Sequence, residues 1–221
     1  MREILGRRRV TRWARRTAAL TCATEWNWPV VPGAALQISV RPSKRLCACP
    51  QPDCAVPGAH PLDPDLLAAT TDARMVRWWW TQRPTASVLL ATGGSAPCAL
   101  SLPAAAGELA LRELDRRGVR LGPVVATPTR FLLLVAPYDL EELGELLYAQ
   151  DWVPSSLRFH GEGGYVPLPP TETAGGAVAW QRKPTPAQRG GTPYLPRLEE
   201  LLDVLVEAST TAPDGGSRLA Y

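Results

Sequence analysis

The sequence predicts a mixed α/β domain of the α+β kind, built from hairpins with flanking helices and carrying a metal-binding loop. Three observations lead there. Helical and strand periodicities alternate along the 221 residues, Gly- and Pro-bearing turns separate short apolar runs, and four soft-metal ligands crowd a stretch that no regular element can contain. The chain length fits one domain, or one domain with an appendage, and the hydrophobic content of 45% is that of an ordinary globular core.

Val10, Trp13, Ala14, Thr17, Leu20 and Thr24 recur at helical spacing, so an amphipathic helix is expected over residues 7–25 with its arginines outward. Trp26-Asn-Trp-Pro-Val-Val-Pro32 then leads into a short strand. Asp63-Pro64 reads as a cap and first helical proline, opening a short helix through Ala69. Asp72 caps a helix over 73–82 whose Trp78, Trp79 and Trp80 point three ways, so at least one lies outside the core.

Residues 87–91 and 98–102 read as adjacent strands joined through Thr92-Gly-Gly-Ser95. A helix follows over 104–117 with Gly118 at its end. Residues 124–127 and 131–135 form a hairpin, and Asp139-Leu-Glu-Glu142 has capping-box spacing for a helix to Gln150. Residues 157–160 and 165–168 flank Gly161-Glu-Gly-Gly164 as a further hairpin. A short strand at 178–181 and a helix at 196–208 close the pattern. The expected organisation is a basic extension at 1–16, one domain over 17–208 with its metal loop at 46–61, and a flexible tail at 209–221.

The loop carries Cys47, Cys49, Cys54 and His60 as C-x-C-x4-C-x5-H among prolines and Gly58, which bar both a helix and a central strand. Three thiolates and an imidazole suit tetrahedral Zn²⁺. With four protein ligands such an ion is structural, because no position is left open for a substrate. The N-terminus lacks the apolar run of a secretory signal, and no stretch approaches the roughly 20 apolar residues of a membrane span. A cytoplasmic protein with reduced thiols is therefore expected, with Cys22 and Cys98 acting as small buried hydrophobes.

Net charge is +3, concentrated in residues 1–16, where seven arginines face one glutamate. Arg7, Arg8, Arg9, Arg12, Arg15 and Arg16 can lie along a DNA or RNA backbone, or dock on an acidic protein partner; no membrane partner is expected. The basic residues are nearly all arginine in an Ala-, Gly- and Pro-rich chain, a bias that reduces the functional weight of any single arginine.

Four segments together resemble the N-terminal domain of bifunctional DNA primase/polymerases, the prim-pol family of archaeo-eukaryotic primase relatives. They are Trp26-Asn-Trp-Pro-Val-Val-Pro32, the cysteine loop ending Gly58-Ala-His-Pro61, Ala69-Thr-Thr-Asp72 through Trp79-Trp80 to Ala91-Thr-Gly93, and Gly163-Gly-Tyr-Val-Pro-Leu-Pro-Pro170. They span about residues 17 to 181 in the family's order. The resemblance implies a prim-pol-like mixed sheet and nucleotidyl transfer assisted by Mg²⁺ or Mn²⁺ on an acidic pair and a further Asp.

At the matching positions this chain has Ser101, Pro103 and Arg158, which are not ligands for hard cations. The family's T-P-S-G-G-x-H phosphate hairpin is shortened to Thr127-Pro-Thr-Arg-Phe131, with Phe131 in the histidine's place, and Ala59 replaces the lysine of G-K-H-P. No catalytic Mg²⁺ or Mn²⁺ is therefore expected, and the former cleft is either open and polar or filled by Phe131 and its neighbours. The resulting reading is a zinc-containing primase/polymerase-like domain without catalysis, retained as a nucleic-acid-binding or regulatory module. The alternatives are an active nucleotidyltransferase drawing on Glu108, Asp139 or Glu162, and another enzyme built on the same cleft. Arg130, Arg158 and His160 are candidate phosphate contacts, with His160 expected to be a solvent-facing hairpin residue.

Overall fold

A computed structural model describes residues 12–38, 45–185 and 191–212. In chain order the elements are helix α1 (12–20) running into a π-helical turn at Thr21–Glu25, β1 (Val30–Gly33), β2 (Leu36–Ile38), β3 (Arg45–Cys47), a 3-10 turn at Leu66–Ala68, α2 (Ala73–Gln82) and β4 (Ser87–Ala91). There follow β5 (Cys98–Pro103), α3 (Ala104–Arg116), β6 (Val124–Ala126), β7 (Arg130–Val135), α4 (Leu140–Tyr148), β8 (Arg158–His160) and β9 (Tyr165–Leu168). The last are β10 (Glu172–Thr173), β11 (Gly176–Ala177), β12 (Ala179–Arg182), a 3-10 turn at Leu198–Glu200 and α5 (Leu202–Thr211). The mixed α+β class expected from the sequence is the one observed. No helix among the described residues is long and apolar enough to cross a membrane.

The described residues fall in two compact units, one drawn from Met1–Ala91, Tyr165–Ala179 and Gln188–Thr192, the other from Thr92–Gly164, Trp180–Ala187 and Pro193–Tyr221. The division runs inside the 17–208 stretch, and it corrects two expected hairpins. β4 pairs antiparallel with β1 and β9, whereas β5 pairs with β7 and β8. Residues 87–91 and 98–102 are therefore not neighbours, nor are 157–160 and 165–168. Each expected hairpin turn is instead a crossing from one sheet to another.

In the first unit, the β1-β4-β9 sheet is apolar on both faces: Val30, Val31, Val88, Leu89, Leu90, Val166 and Leu168 are all buried. Such strands read as continuous apolar runs without alternation. Asp72 caps α2 by accepting from the Arg74 N–H at 2.7 Å, and the helix turns Val76, Trp79 and Trp80 inward while Trp78 stays 54% exposed. The preceding short helix is a 3-10 turn capped by Asp65, not by Asp63. The reading of α1 needs correction too. Its buried positions are Arg15 and Ala19, continuing into Cys22 and Ala23 of the π-turn, while Trp13 is 63% exposed.

The second unit holds the five-stranded sheet β12-β6-β7-β5-β8. One face of it packs on α3 and α5 through Leu100, Leu102, Leu133, Ala110, Leu114, Leu201 and Leu205. The 124–127/131–135 hairpin is present as β6 and β7, and Asp139 caps α4 by accepting from the Glu142 N–H at 2.8 Å. The final helix runs past the expected end at 208: Ser209 and Ala212 are buried, so the first residues assigned to a tail belong to the packed end of α5. Residues 213–221 lie outside the described residues.

Candidate metal centre and a cationic sheet face

Cys47 ends the β2-β3 ribbon, which the Ala48 N–H extends by donating to the Ala35 carbonyl at 2.9 Å. The far end of the loop is sewn to β1, since the Ala34 N–H donates to the His60 carbonyl at 2.8 Å. Between them Gly58 sits at φ +80°, where a Cβ would lie 2.6 Å from both the Glu172 carbonyl oxygen and Leu36 Cγ, so only glycine fits. The Ser87 hydroxyl reaches the Gly58 carbonyl and bonds the Ala34 carbonyl at 3.1 Å. Together these contacts hold both ends of the loop to one sheet edge.

The ligand atoms of Cys47, Cys49, Cys54 and His60 all lie within 4.8 Å of one another, the spread a single tetrahedral ion spans with metal–sulfur bonds of about 2.3 Å. Cys47 Sγ is 3.2 Å from His60 Nε2. His60 Nδ1 is 2.7 Å from the Pro61 carbonyl oxygen, which can only accept. The Nδ1 nitrogen therefore carries the proton, leaving the Nε2 lone pair directed at the sulfurs. This is the outer bond that sets the tautomer of a metal-ligating histidine.

Burial alone would raise the Cys47 thiol. Backbone bonds at Cys49 and Gly58 and side-chain bonds with His60 and Cys49 override it and bring the thiol down to about 6. Burial and the two neighbouring sulfurs push Cys54 up to about 11. The donor set of three sulfurs and one imidazole nitrogen fits a soft divalent ion. Among the described residues this is the only cluster of three or more His, Cys, Asp or Glu ligand atoms at metal-binding spacing.

The second site lies on the other face of the five-stranded sheet from α3 and α5. Antiparallel register sets Ser101 opposite Arg158, Ala99 opposite His160, and Pro103 opposite Arg130, so these side chains share one face. Arg130 donates from Nε to the Ser101 hydroxyl at 3.2 Å, and from Nη2 to the Ser101 carbonyl at 2.7 Å and the Ser156 carbonyl at 2.6 Å. His160 Nε2 lies 3.0 Å from the same hydroxyl. Burial, reinforced by Arg130 and Arg158, holds the His160 imidazole below its usual value and so favours the neutral ring, which accepts the Ser101 proton at Nε2. Burial, with Arg158 adding to it, lowers the Arg130 guanidinium to about 10.

Of the two states left open for the cleft, Phe131 does not fill this face: it packs into the core with α3, and a Cβ on Gly107 would fall 2.7 Å from its ring. Arg130, one residue earlier, occupies the polar side instead. His160 is half-buried, not solvent-facing. The short turn is closed by its own groups, because the Thr127 N–H donates to the Arg130 carbonyl at 2.8 Å and the Arg130 N–H to the Thr127 hydroxyl at 3.0 Å. That leaves neither amide for a phosphate.

Ser101 is only 1% exposed and already holds two partners, so its pairing with His160 is no nucleophile for an external substrate. A hydroxyl, an imino acid and two guanidinium groups do not fit a hard divalent cation. The carboxylates that could substitute stand apart: Asp139 caps α4, Glu108 is exposed on α3, and Glu162 packs its backbone against Gly93. Of the N-terminal arginines, Arg12 is exposed and Arg16 half-buried. Arg15 is buried, donating to the Thr85 carbonyl at 3.0 Å with Glu172 4.0 Å away, and is removed from any nucleic-acid surface. Arg7, Arg8 and Arg9 lie outside the described residues.

Comparison with known proteins adds one finding. No curated protein matches the chain, and no solved structure matches it. A family model described as bifunctional DNA primase/polymerase, N-terminal, matches residues 19–196, which take in the cysteine loop, the cationic sheet face and the Gly163-Gly-Tyr segment. The chain therefore belongs to the bifunctional DNA primase/polymerase N-terminal family.

Proposed function

We propose that this chain is a primase/polymerase-like domain that has given up nucleotidyl transfer and serves as a zinc-stabilised nucleic-acid-binding or regulatory module. The observation that carries the reading is the Arg130 guanidinium bonded to Ser101. Where the family resemblance calls for carboxylates gathering divalent metal, this chain sets a fixed organic cation beside a neutral hydroxyl. Two-metal phosphoryl transfer needs anionic oxygens to assemble the ions, and a guanidinium at the same place repels them. Zinc belongs to the reading as the ion best suited to three sulfurs and one imidazole, with Cys47, Cys49, Cys54 and His60 ordering a loop that lacks regular hydrogen bonding. Nucleic acid belongs to it through family membership and through Arg12 and Arg16 on α1.

Two measurements test it. Highly purified protein should incorporate no nucleotide on a primed or unprimed template with Mg²⁺ or Mn²⁺; template-dependent incorporation that survives controls for contaminating polymerase would end the non-catalytic reading. Nucleic-acid binding should be indifferent to sequence and fall steeply with salt. It should weaken when Arg12 and Arg16 are both changed to Glu, and equal binding by that variant would move the interface elsewhere.

A further inference from the structure

We propose that Arg130, Arg158 and His160 form a metal-independent site for a terminal phosphate group, a phosphate monoester or a pyrophosphate. The proposal rests on the reading that this sheet face holds no catalytic metal, and it names what the face holds instead.

The first argument is charge. Arg130 is half-buried, and every group it bonds is neutral: the Ser101 hydroxyl and the carbonyls of Ser101 and Ser156. Among the described residues no carboxylate lies within 4.0 Å of Arg130 or Arg158, although Arg83, Arg116, Arg117, Arg182 and Arg197 are all paired with acids. A partly buried cation without a counter-charge is costly, and its cost is relieved by a bound anion.

The second argument is preorganisation. Three acceptors fix the Arg130 fork before any ligand arrives, which removes most of the ordering entropy of binding. Ser156 adds a buried hydroxyl that has no hydrogen-bond partner, next to the carbonyl that Arg130 holds.

The third is dimension. Arg130 and Arg158 stand on strands either side of β5 and two residues apart along it, about 12 Å at the backbone. Both side chains share the Ser101 face, and each contributes to the lowered proton affinity of His160, which lies on the same face opposite Ala99. Arg130 and His160 are half-buried and Arg158 is exposed, so the group opens to solvent at Arg158. A compact dianion suits a cluster of this size, whereas an extended backbone would need cations spread along a groove. With Nε2 accepting from Ser101, neutral His160 carries its proton on Nδ1 and offers that N–H as a third donor.

Thermal unfolding of the zinc-loaded full chain in buffer without Mg²⁺ or Mn²⁺ tests the site, with sodium pyrophosphate titrated against sodium chloride of equal ionic strength. A saturable rise in the midpoint is expected for pyrophosphate alone, on the order of 3–6 °C at ten times the dissociation constant. Two further arms identify the source of the phosphate: a nucleoside triphosphate without metal, and a 5′-phosphorylated oligonucleotide against its 5′-hydroxyl form. Arg130 braces the sheet and its loss can unfold the unit, so the decisive variant is Arg158→Gln, which removes a charge at an exposed position without setting a carboxylate beside Arg130. It should leave the unliganded midpoint within about 1 °C and abolish the rise. No saturable rise in the unmodified protein, or an equal rise in Arg158→Gln, would overturn the site. Either result leaves the non-catalytic reading intact, while nucleotide incorporation with Mg²⁺ would remove that reading without touching a binding curve measured in the absence of Mg²⁺ and Mn²⁺.

Discussion

Arg130 and Ser101 are joined twice, Nη2 donating to the serine carbonyl at 2.7 Å and Nε to its hydroxyl at 3.2 Å, and a third bond ties the same guanidinium to the Ser156 carbonyl. This single side chain therefore links β7, β5 and the segment leading into β8. Arg130→Met keeps much of the side-chain length and removes every donor, leaving two carbonyls and a hydroxyl short of a partner. A destabilisation of about 2–4 kcal/mol is expected in urea unfolding. Arg130→Lys keeps the charge but not the fork and should fall between the two. A cost below about 0.5 kcal/mol for Arg130→Met would mean that the brace is ornamental.

The metal loop makes a separate prediction. Protein purified without added zinc should carry one zinc ion per chain, and Cys49→Ser or His60→Ala should each lower that content well below one. Chelation should reduce the thermal midpoint, since the ion's binding energy is the loop's folding energy. Zinc content unchanged by both substitutions would assign the metal elsewhere.

Much of this was legible from residue types and spacing. The ligands Cys47, Cys49, Cys54 and His60 do converge, because a Pro- and Gly-rich loop has few other ways to order itself. Asp72 and Asp139 cap the helices expected of them. Strand partnership was not legible: β4 and β5 are local in sequence but belong to different sheets, and the short glycine turns that suggested hairpins serve as crossings. The orientation of Phe131 was hidden for a related reason. Arg130-Phe-Leu-Leu-Leu-Val135 is buried on both faces beyond its first residue, so no alternation marks which side Phe131 takes. On α1, Arg15 took an interior place because its head reaches the Thr85 carbonyl, a partner that lies far along the chain.

Restoring the family's histidine at position 131 should not rebuild a phosphate contact. The Phe131 ring lies in the core against Gly107, so Phe131→His would replace packed carbon with a polar ring that lacks a partner there. About 3 kcal/mol of stability should be lost with no gain in anion response. A Phe131→His protein that unfolds like the parent and binds pyrophosphate more tightly would show that the side chain can turn to the other face.

His160 makes stability depend on pH. Burial, then Arg130 from β7 and Arg158 from β8, lower its proton affinity below the ordinary 6.5, while β5 presents only the neutral Ser101. The unfolded chain binds a proton that the folded chain resists. The stabilisation is therefore fully present above about pH 6.5 and is lost as pH falls toward the depressed folded value. His160→Gln should flatten that acid limb in urea unfolding at pH 5 to 7. A limb of unchanged slope would place the pH dependence on another group.

The sharpest structural test lies at the first crossing, where the Thr92-Gly93 turn meets Gly161-Glu-Gly-Gly164. The Thr92 N–H donates to the Gly164 carbonyl at 3.0 Å and its hydroxyl to the Gly161 carbonyl at 2.6 Å, which draws the two turns together. Gly93 has φ +91°, and a Cβ built on it would lie 2.3 Å from Glu162 Cα, a backbone atom that cannot step aside. Gly94, the next residue, also has positive φ, at +63°, but nothing lies within 4 Å of its Cβ position. The two alanine substitutions thus separate backbone strain from collision. Gly94→Ala should cost about 1 kcal/mol, the ordinary penalty for a left-handed non-glycine residue. Gly93→Ala should cost several-fold more, about 3 kcal/mol or above, because the turns must part and strain the Thr92 bonds. Thr92→Val should lose part of the same energy without any clash. Equal costs for Gly93→Ala and Gly94→Ala would show that the two turns do not pack as closely as these distances require.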